Sequence, residues 1–351
     1  MAKQRIEYID AMRGFTMILV VFAHVCHFCL GDSRMGYNAV FILFRLPCFF
    51  MISGWLFEPV SQRPFWEIAK HKAMVQLVPT FIFLLLLAPP PFFFHQLGTL
   101  KGGYWFTFAL FEFFIFYMLI IRISRKWSWL FAIAITIGTF MYARYYDSIR
   151  STAEGYQLWM INLGGFLSVT TWRLFIFFYI GAWIKRHFDA FLRWTSKSAV
   201  IVLIVISFFL IASTSHKDDL LFEMFRFYGG GITGMVMVFT FFRISASWLK
   251  RLHISKPLQY VGTRTLDIYL LHFFFLPRFL LLYAGQIKAY NSQFTEFLVI
   301  LAISLVVLII SLGVSYIIRL NPFLAHYLFG VKTTSAHANC NAKDDATSCG
   351  K

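Results

Sequence analysis

Residues 8–24 read Tyr8-Ile-Asp-Ala-Met-Arg13-Gly-Phe-Thr-Met-Ile-Leu-Val-Val-Phe-Ala-His24, an apolar run with charges at its mouth and a histidine deep inside. On an α-helix the step from Arg13 to His24 is about three whole turns, so both side chains fall on one face, roughly 16 Å apart along the axis. Two polar groups on one stripe of a buried helix outline a lined path. Asp10 and Arg13 interrupt the approach to the run, and no small-residue cleavage site follows it. It therefore reads as a retained first membrane span rather than a secretory signal.

The rest of the chain has the same character. Of 351 residues, 59% are hydrophobic, 20% aromatic and only 14% charged, far too apolar for a soluble domain of this size. Windows long enough to cross a bilayer fall near residues 12–30, 38–58, 74–94, 104–121, 129–143, 160–184, 198–214, 223–243, 263–284 and 294–318. They predict an all-α polytopic membrane protein, a single bundle of about ten transmembrane helices. One membrane domain covers 1–330, and the polar segment 331–351 is expected to be a disordered cytoplasmic tail. A net charge of +16 would suggest nucleic acid in a soluble protein. Here the basic residues sit in short loops between apolar runs, so the bilayer is the expected partner and nucleic acid is not.

Orientation follows from those loops. One alternate set holds Arg63, Lys70, Lys72, Arg122, Arg125, Lys126, Lys185, Arg186, Lys250 and Arg251; the other holds Arg34, Lys101, Arg144, Arg150, Lys217, Lys288 and little else. The asymmetry places both termini in the cytoplasm, Arg13 at the cytoplasmic end of the first span and His24 toward its outer half.

A charged side chain at mid-bilayer costs ~2.5 to 3.5 kcal/mol even on a permissive scale, so ionisable groups within spans are functional candidates. Arg45 stands two residues before Pro47, where the second span is expected to kink or break. Glu112 lies about 15 Å up its span from Arg122, the same depth as His24, and is expected to pair with Arg45 or to accept from His24. Arg264, Asp267 and His272 repeat the opening pattern near the end of the chain, polar groups at a helix mouth and a histidine further in. Each has an ordinary reading too: Arg13 and Arg264 as snorkelling anchors, Asp10 and Asp267 as caps, the histidines as packed core.

Three motifs are set aside. Gly229-Gly-Gly231-Ile-Thr-Gly234 has dinucleotide-site spacing but lies inside a span with no strand before it, so it reads as close helix packing. Cys26-His27-x-Cys29 lacks a fourth ligand, and no metal is expected. The five cysteines outline no disulfide framework.

Asp10-x-x-Arg13-Gly with His24 eleven residues after the arginine, then Arg45-Leu-Pro47-x-Phe-Phe-x-Ile-Ser53-Gly54, then Thr265-Leu-x-Ile-Tyr269-Leu-Leu-His272 resembles acyltransferase family 3 of integral membrane acyltransferases. The Arg-Leu-Pro variant resembles its fucose 4-O-acetylase-like and glucan-modifying branch. The resemblance implies a bacterial inner-membrane enzyme that moves an acyl group, usually acetyl, from cytoplasmic acyl-CoA to a sugar hydroxyl of a cell-surface or periplasmic glycan. It implies no permanently bound cofactor, acyl-CoA being a co-substrate, and makes the residues matching Arg13 and His24 essential.

On this reading Arg13 and Arg264 suit the CoA phosphates, His24 is the general base, and either Glu112 or a backbone carbonyl orients it. Asp10, Arg45, Ser53, Tyr269 and His272 complete the substrate-binding set, and the sugar is either part of a glycan or lipid-linked. The aromatic, mixed-charge stretch from Tyr142 to Trp159 suits stacking on sugar rings. A transporter or flippase for a glycolipid or small solute would use the same charges without covalent change.

Overall fold

The computed structural model describes residues 6–31, 36–88, 101–214, 219–289 and 292–331. The polar tail after Val331, with Cys340 and Cys349, and the prolines 89–91 lie outside the described residues. Among the described residues every regular element is a helix.

The opening stretch forms α1 (Glu7–Leu30). The helix stops where Gly31 takes the left-handed conformation, φ 62° and ψ 52°, with its N–H bonded to the Cys26 carbonyl; glycine reaches that conformation without a Cβ clash. In α2 (Gly36–Phe57) the chain continues as helix through Pro47, so the expected break does not form. The proline ring instead fills the space beside Gly231, where a Cβ would lie 3.2 Å from Pro47 Cγ.

Next come α3 (Phe65–Lys72), a π turn at Ala73–Leu77 and α4 (Val78–Leu87), which together make one span, Phe65–Leu87. This span begins nearer the N-terminus than expected and takes in Lys70 and Lys72. The reason is local: Pro79 has no N–H to give, and the wider π turn before it lets the helix run on.

The remaining helices are α5 (Trp105–Ile123), α6 (Ser128–Thr152), α7 (Gly155–Phe166), α8 (Phe175–Arg186), α9 (Phe188–Thr195), α10 (Ser198–Ser213), α11 (Leu220–Ile244), α12 (Ala246–Arg251), α13 (Ser255–Thr263), α14 (Thr265–Phe275), α15 (Ala284–Ala289), α16 (Gln293–Arg319) and α17 (Pro322–Phe329). Among the described residues six helices are long and apolar enough to cross a membrane, or up to nine if each bent pair is one span. The bends are 50° between α7 and the segment Val169–Arg186, 83° between α9 and α10, and 59° where Pro277 ends α14. The window expected at 129–143 is helical, as α6, but is not among the nine.

Two glycine-paired crossings hold the centre. A Cβ on Gly14 of α1 would sit 1.9 Å from the Leu258 carbonyl oxygen on α13, and one on Gly262 would sit 2.0 Å from that of Asp10. The second crossing has the same form: a Cβ on Gly54 of α2 would sit 1.9 Å from the Phe178 oxygen on α8, and one on Gly181 equally close to that of Met51. Backbone-to-backbone approach is what small residues allow in a bilayer, where van der Waals packing replaces the hydrophobic drive. The glycines of α11 serve similarly: Gly231 meets the Phe177 ring and Gly234 meets Phe44 and Phe208. α1 is the central element, with 67% of its apolar window buried against 28% for α16.

Candidate active site at a buried histidine pair

The two histidines that the sequence places on separate spans meet. His24 Nδ1 lies 2.7 Å from His272 Nε2, and the rings meet edge to edge with centroids 4.9 Å apart and 7° between their planes. His272 is fully buried, and its Nδ1 is 2.9 Å from the Ile268 carbonyl oxygen one turn back on α14. A carbonyl only accepts, so His272 Nδ1 carries the hydrogen, and in the neutral ring Nε2 is an acceptor. The hydrogen between the rings then belongs to His24 Nδ1, which leaves His24 Nε2 with its lone pair. The tautomer is thus set by a backbone carbonyl through an intervening histidine.

His24 keeps an accessible edge on a small pocket lined also by Met17, Val20, Leu46, Phe49, Trp105, Phe106 and Tyr269. Tyr269 fixes one wall. Its hydroxyl donates to the Gly103 carbonyl at 2.9 Å and accepts from the Phe106 N–H at 3.2 Å. The Tyr104 hydroxyl donates to the Leu270 carbonyl at 2.7 Å, so α14 is pinned at two points to the start of α5. Arg45 lies within electrostatic range of His24, and its Nη1 is buried without a hydrogen-bond partner. A buried guanidinium N–H left unpaired is costly, and an anionic ligand would satisfy it.

Glu112 is elsewhere. Its Oε2 accepts from Trp172 Nε1 at 2.8 Å, and its further polar neighbours are Lys101 and Ser168. The expected pairing with Arg45 or His24 is not formed, because equal depth fixes height along a helix and not the direction a side chain faces. Lys101, read from sequence only as a loop cation, is 1% exposed and donates to the Gly165 carbonyl at 3.0 Å. Burial pushes its ammonium pKa down, and the Glu112 carboxylate opposes that shift. Lys101 and Ser168, the neighbours of Glu112, line a second, larger cleft, which shares Leu46 and Trp105 with the histidine pocket.

At the other end of α1, Asp10 is buried at the crossing with α13, and Arg13 lies within electrostatic range of Lys72. The Lys72 ammonium stands 4.1 Å over the Phe114 ring. Lys72 was legible only as a positive-inside anchor, and the structure adds it to the cations beside Arg13. Arg264 is 3.8 Å from Asp267, whose carboxylate also takes two bonds from Arg319, at 2.6 and 2.8 Å, and one from Ser315 at 2.5 Å. That network ties α14 to α16. Ser53 Oγ donates back to the Phe49 carbonyl at 2.8 Å, a bond within α2 next to the Gly54 crossing. Cys26, Cys29 and Cys48 are buried and form no disulfide.

The three motifs named in the sequence supply both histidines, the α1, α2 and α14 walls of the pocket, and one glycine of each crossing, Gly14 and Gly54. A family model described as an acyltransferase domain matches residues 6–318, nearly the whole described bundle. No curated protein and no solved structure gives a significant match. With a membrane bundle and a family model spanning it, the chain belongs to acyltransferase family 3 and is a membrane acyltransferase.

Proposed function

We propose that the chain transfers an acyl group, acetyl above all, from cytoplasmic acyl-CoA to a sugar hydroxyl of a cell-surface or periplasmic glycan, in the manner of the glucan-modifying branch. The observation that carries this is the free Nε2 of His24 on a pocket wall, with its tautomer held by His272 and Ile268. A sugar hydroxyl is a poor nucleophile until its proton leaves. His24 Nε2 takes that proton as the hydroxyl oxygen attacks the thioester carbonyl carbon. The tetrahedral oxyanion forms beside Arg45, whose unpaired N–H suits it. Collapse breaks the C–S bond, and the CoA thiolate leaves with the proton from His24. His272 positions the base, and Glu112 stands behind the neighbouring cleft, beside Lys101.

The proposal includes ten spans, with both termini in the cytoplasm of a bacterial inner membrane. α6 is then the tenth span, and Arg13 and Lys72 meet the donor's phosphates at the cytoplasmic end, with Arg264 at the same face. The pantetheine arm, thin and long, reaches up α1 toward His24. The test is thiol release from acetyl-CoA and acetylation of added glycan by protein reconstituted in vesicles. His24→Ala is expected to lower turnover by about 10² to 10⁴-fold, the usual worth of a general base. Near-normal turnover in a well-folded variant would remove His24 from the role.

A further inference from the structure

The larger cleft, about 1170 Å³, opens beside the histidine pocket, with Leu46 and Trp105 as the shared wall. Its other lining includes Lys101, Arg150, Arg173, Tyr146 and Ser168, and no carboxylate. We propose that this cleft binds the acceptor, and that the acceptor is an anionic sugar whose phosphate or carboxylate is held by Lys101, Arg150 and Arg173 while its hydroxyl reaches His24. The proposal rests on the acyl-transfer reading above and adds the chemical class of acceptor.

Charge is the first argument. Two carboxylates stand behind the cleft walls. Glu112 answers Lys101, and Glu223 is shared between Arg144, at 3.0 Å, and Arg173, which lies in its electrostatic range. Among the described residues no carboxylate pairs with Arg150, whose guanidinium donates to the Tyr146 hydroxyl at 3.2 Å and lies 5.9 Å from that ring's centroid. Among the described residues three cations line the cleft and no carboxylate does, so the concave site is positive. A low-dielectric cleft of one sign concentrates ligands of the other. Arginine forks suit phosphate and carboxylate alike.

Backbone strain is the second argument. Lys101 has φ 51° and Ser168 φ 52°, a left-handed conformation that glycine or asparagine adopts at lower cost. Two glycines follow Lys101 directly, so the chain had residues suited to such a turn and placed a buried lysine there. Strain kept on two residues of one cleft marks it as a site. The rings supply the sugar half of the argument. Tyr146 and Trp105 stand in the cleft as apolar faces for a pyranose, whereas Tyr156 and Trp159 stack on each other and are exposed.

Binding is measured by calorimetry on the full-length protein in nanodiscs, with glucose, glucose 1-phosphate, glucuronate and inorganic phosphate as probes. Both anionic sugars are expected to bind at least about tenfold more tightly than glucose, the scale of a hydrogen bond to a charged group, and the tighter of the two names the anion. Inorganic phosphate is expected to bind more weakly than glucose 1-phosphate. Arg150→Gln should erase most of the preference, Arg150→Lys should keep it, and Arg150→Glu should invert it; Arg150 is exposed, so these variants fold. Equal binding of glucose, equal binding of inorganic phosphate, or a preference untouched by Arg150→Glu would overturn the proposal. Thiol release is scored separately: an anion preference without acyl transfer condemns the catalytic reading alone, and acyl transfer without the preference condemns this one alone.

Discussion

His24 and His272 are 248 positions apart in sequence and share one hydrogen. Each was legible as a histidine too deep in its span to snorkel, yet nothing in sequence says that two such rings touch. The depth count offered Glu112 as a partner, but height along a helix does not fix the direction a side chain faces, and the alternative, a backbone carbonyl, sets the tautomer through His272. The arrangement makes His272 a positioning residue. His272→Ala removes the acceptor for His24 Nδ1–H, frees the ring to present the wrong nitrogen, and should lower kcat by about 10² to 10⁴-fold with KM for acetyl-CoA little changed. His272→Gln keeps an amide oxygen at nearly the same reach and should recover a large part of the loss. Steady-state kinetics on the three proteins decides it: a Gln variant no better than Ala would show that the second ring does more than accept a hydrogen bond.

The elements themselves were largely readable, because a bilayer demands long apolar helices and punishes every exposed backbone group. What escaped was how they are broken and where they touch. Pro47 was expected to kink or break α2, and the helix carries it without a break, whereas Pro277, with no special weight in sequence, ends α14 at a 59° bend. Gly14 and Gly54 each follow a motif residue, and sequence gave the chemistry to Arg13 and Ser53. The glycines are instead the contact points of the α1–α13 and α2–α8 crossings. Gly14→Ala, Gly54→Ala or Gly181→Ala forces a methyl against a carbonyl oxygen and should destabilise the bundle by about 1 to 3 kcal/mol. Gly138→Ala in α6 has open space at its Cβ and should be neutral or slightly stabilising, by up to about 1 kcal/mol from helix propensity. Thermal unfolding in detergent reads both; equal melting of Gly14→Ala and Gly138→Ala would deny the close crossing.

For the molecule as a whole, the parity of the span count turns on α6. Its 25 residues reach about 37 Å, enough for a hydrocarbon core of about 30 Å. Its second half carries Arg144, Asp147 and Arg150, and this polar content is what makes the helix less apolar than the others. Ala143, Tyr146 and Arg150 face the cleft rather than lipid, so the lining of a site would disguise a membrane span. On the proposed topology Lys126, before α6, lies in the cytoplasm and Ser151, near its end, outside. Single-cysteine reporters test this: Lys126→Cys and Ser151→Cys, both at exposed positions, with Cys340 and Cys349 replaced by serine. Cys26, Cys29 and Cys48 are buried and contribute little background. A membrane-impermeant maleimide added to intact spheroplasts should label Ser151→Cys at once and Lys126→Cys only after permeabilisation. Labelling of both from one side would leave α6 uncrossed, and the two termini would then face opposite sides of the membrane, with Arg13 no longer tied by the loop charges to the compartment that holds acyl-CoA.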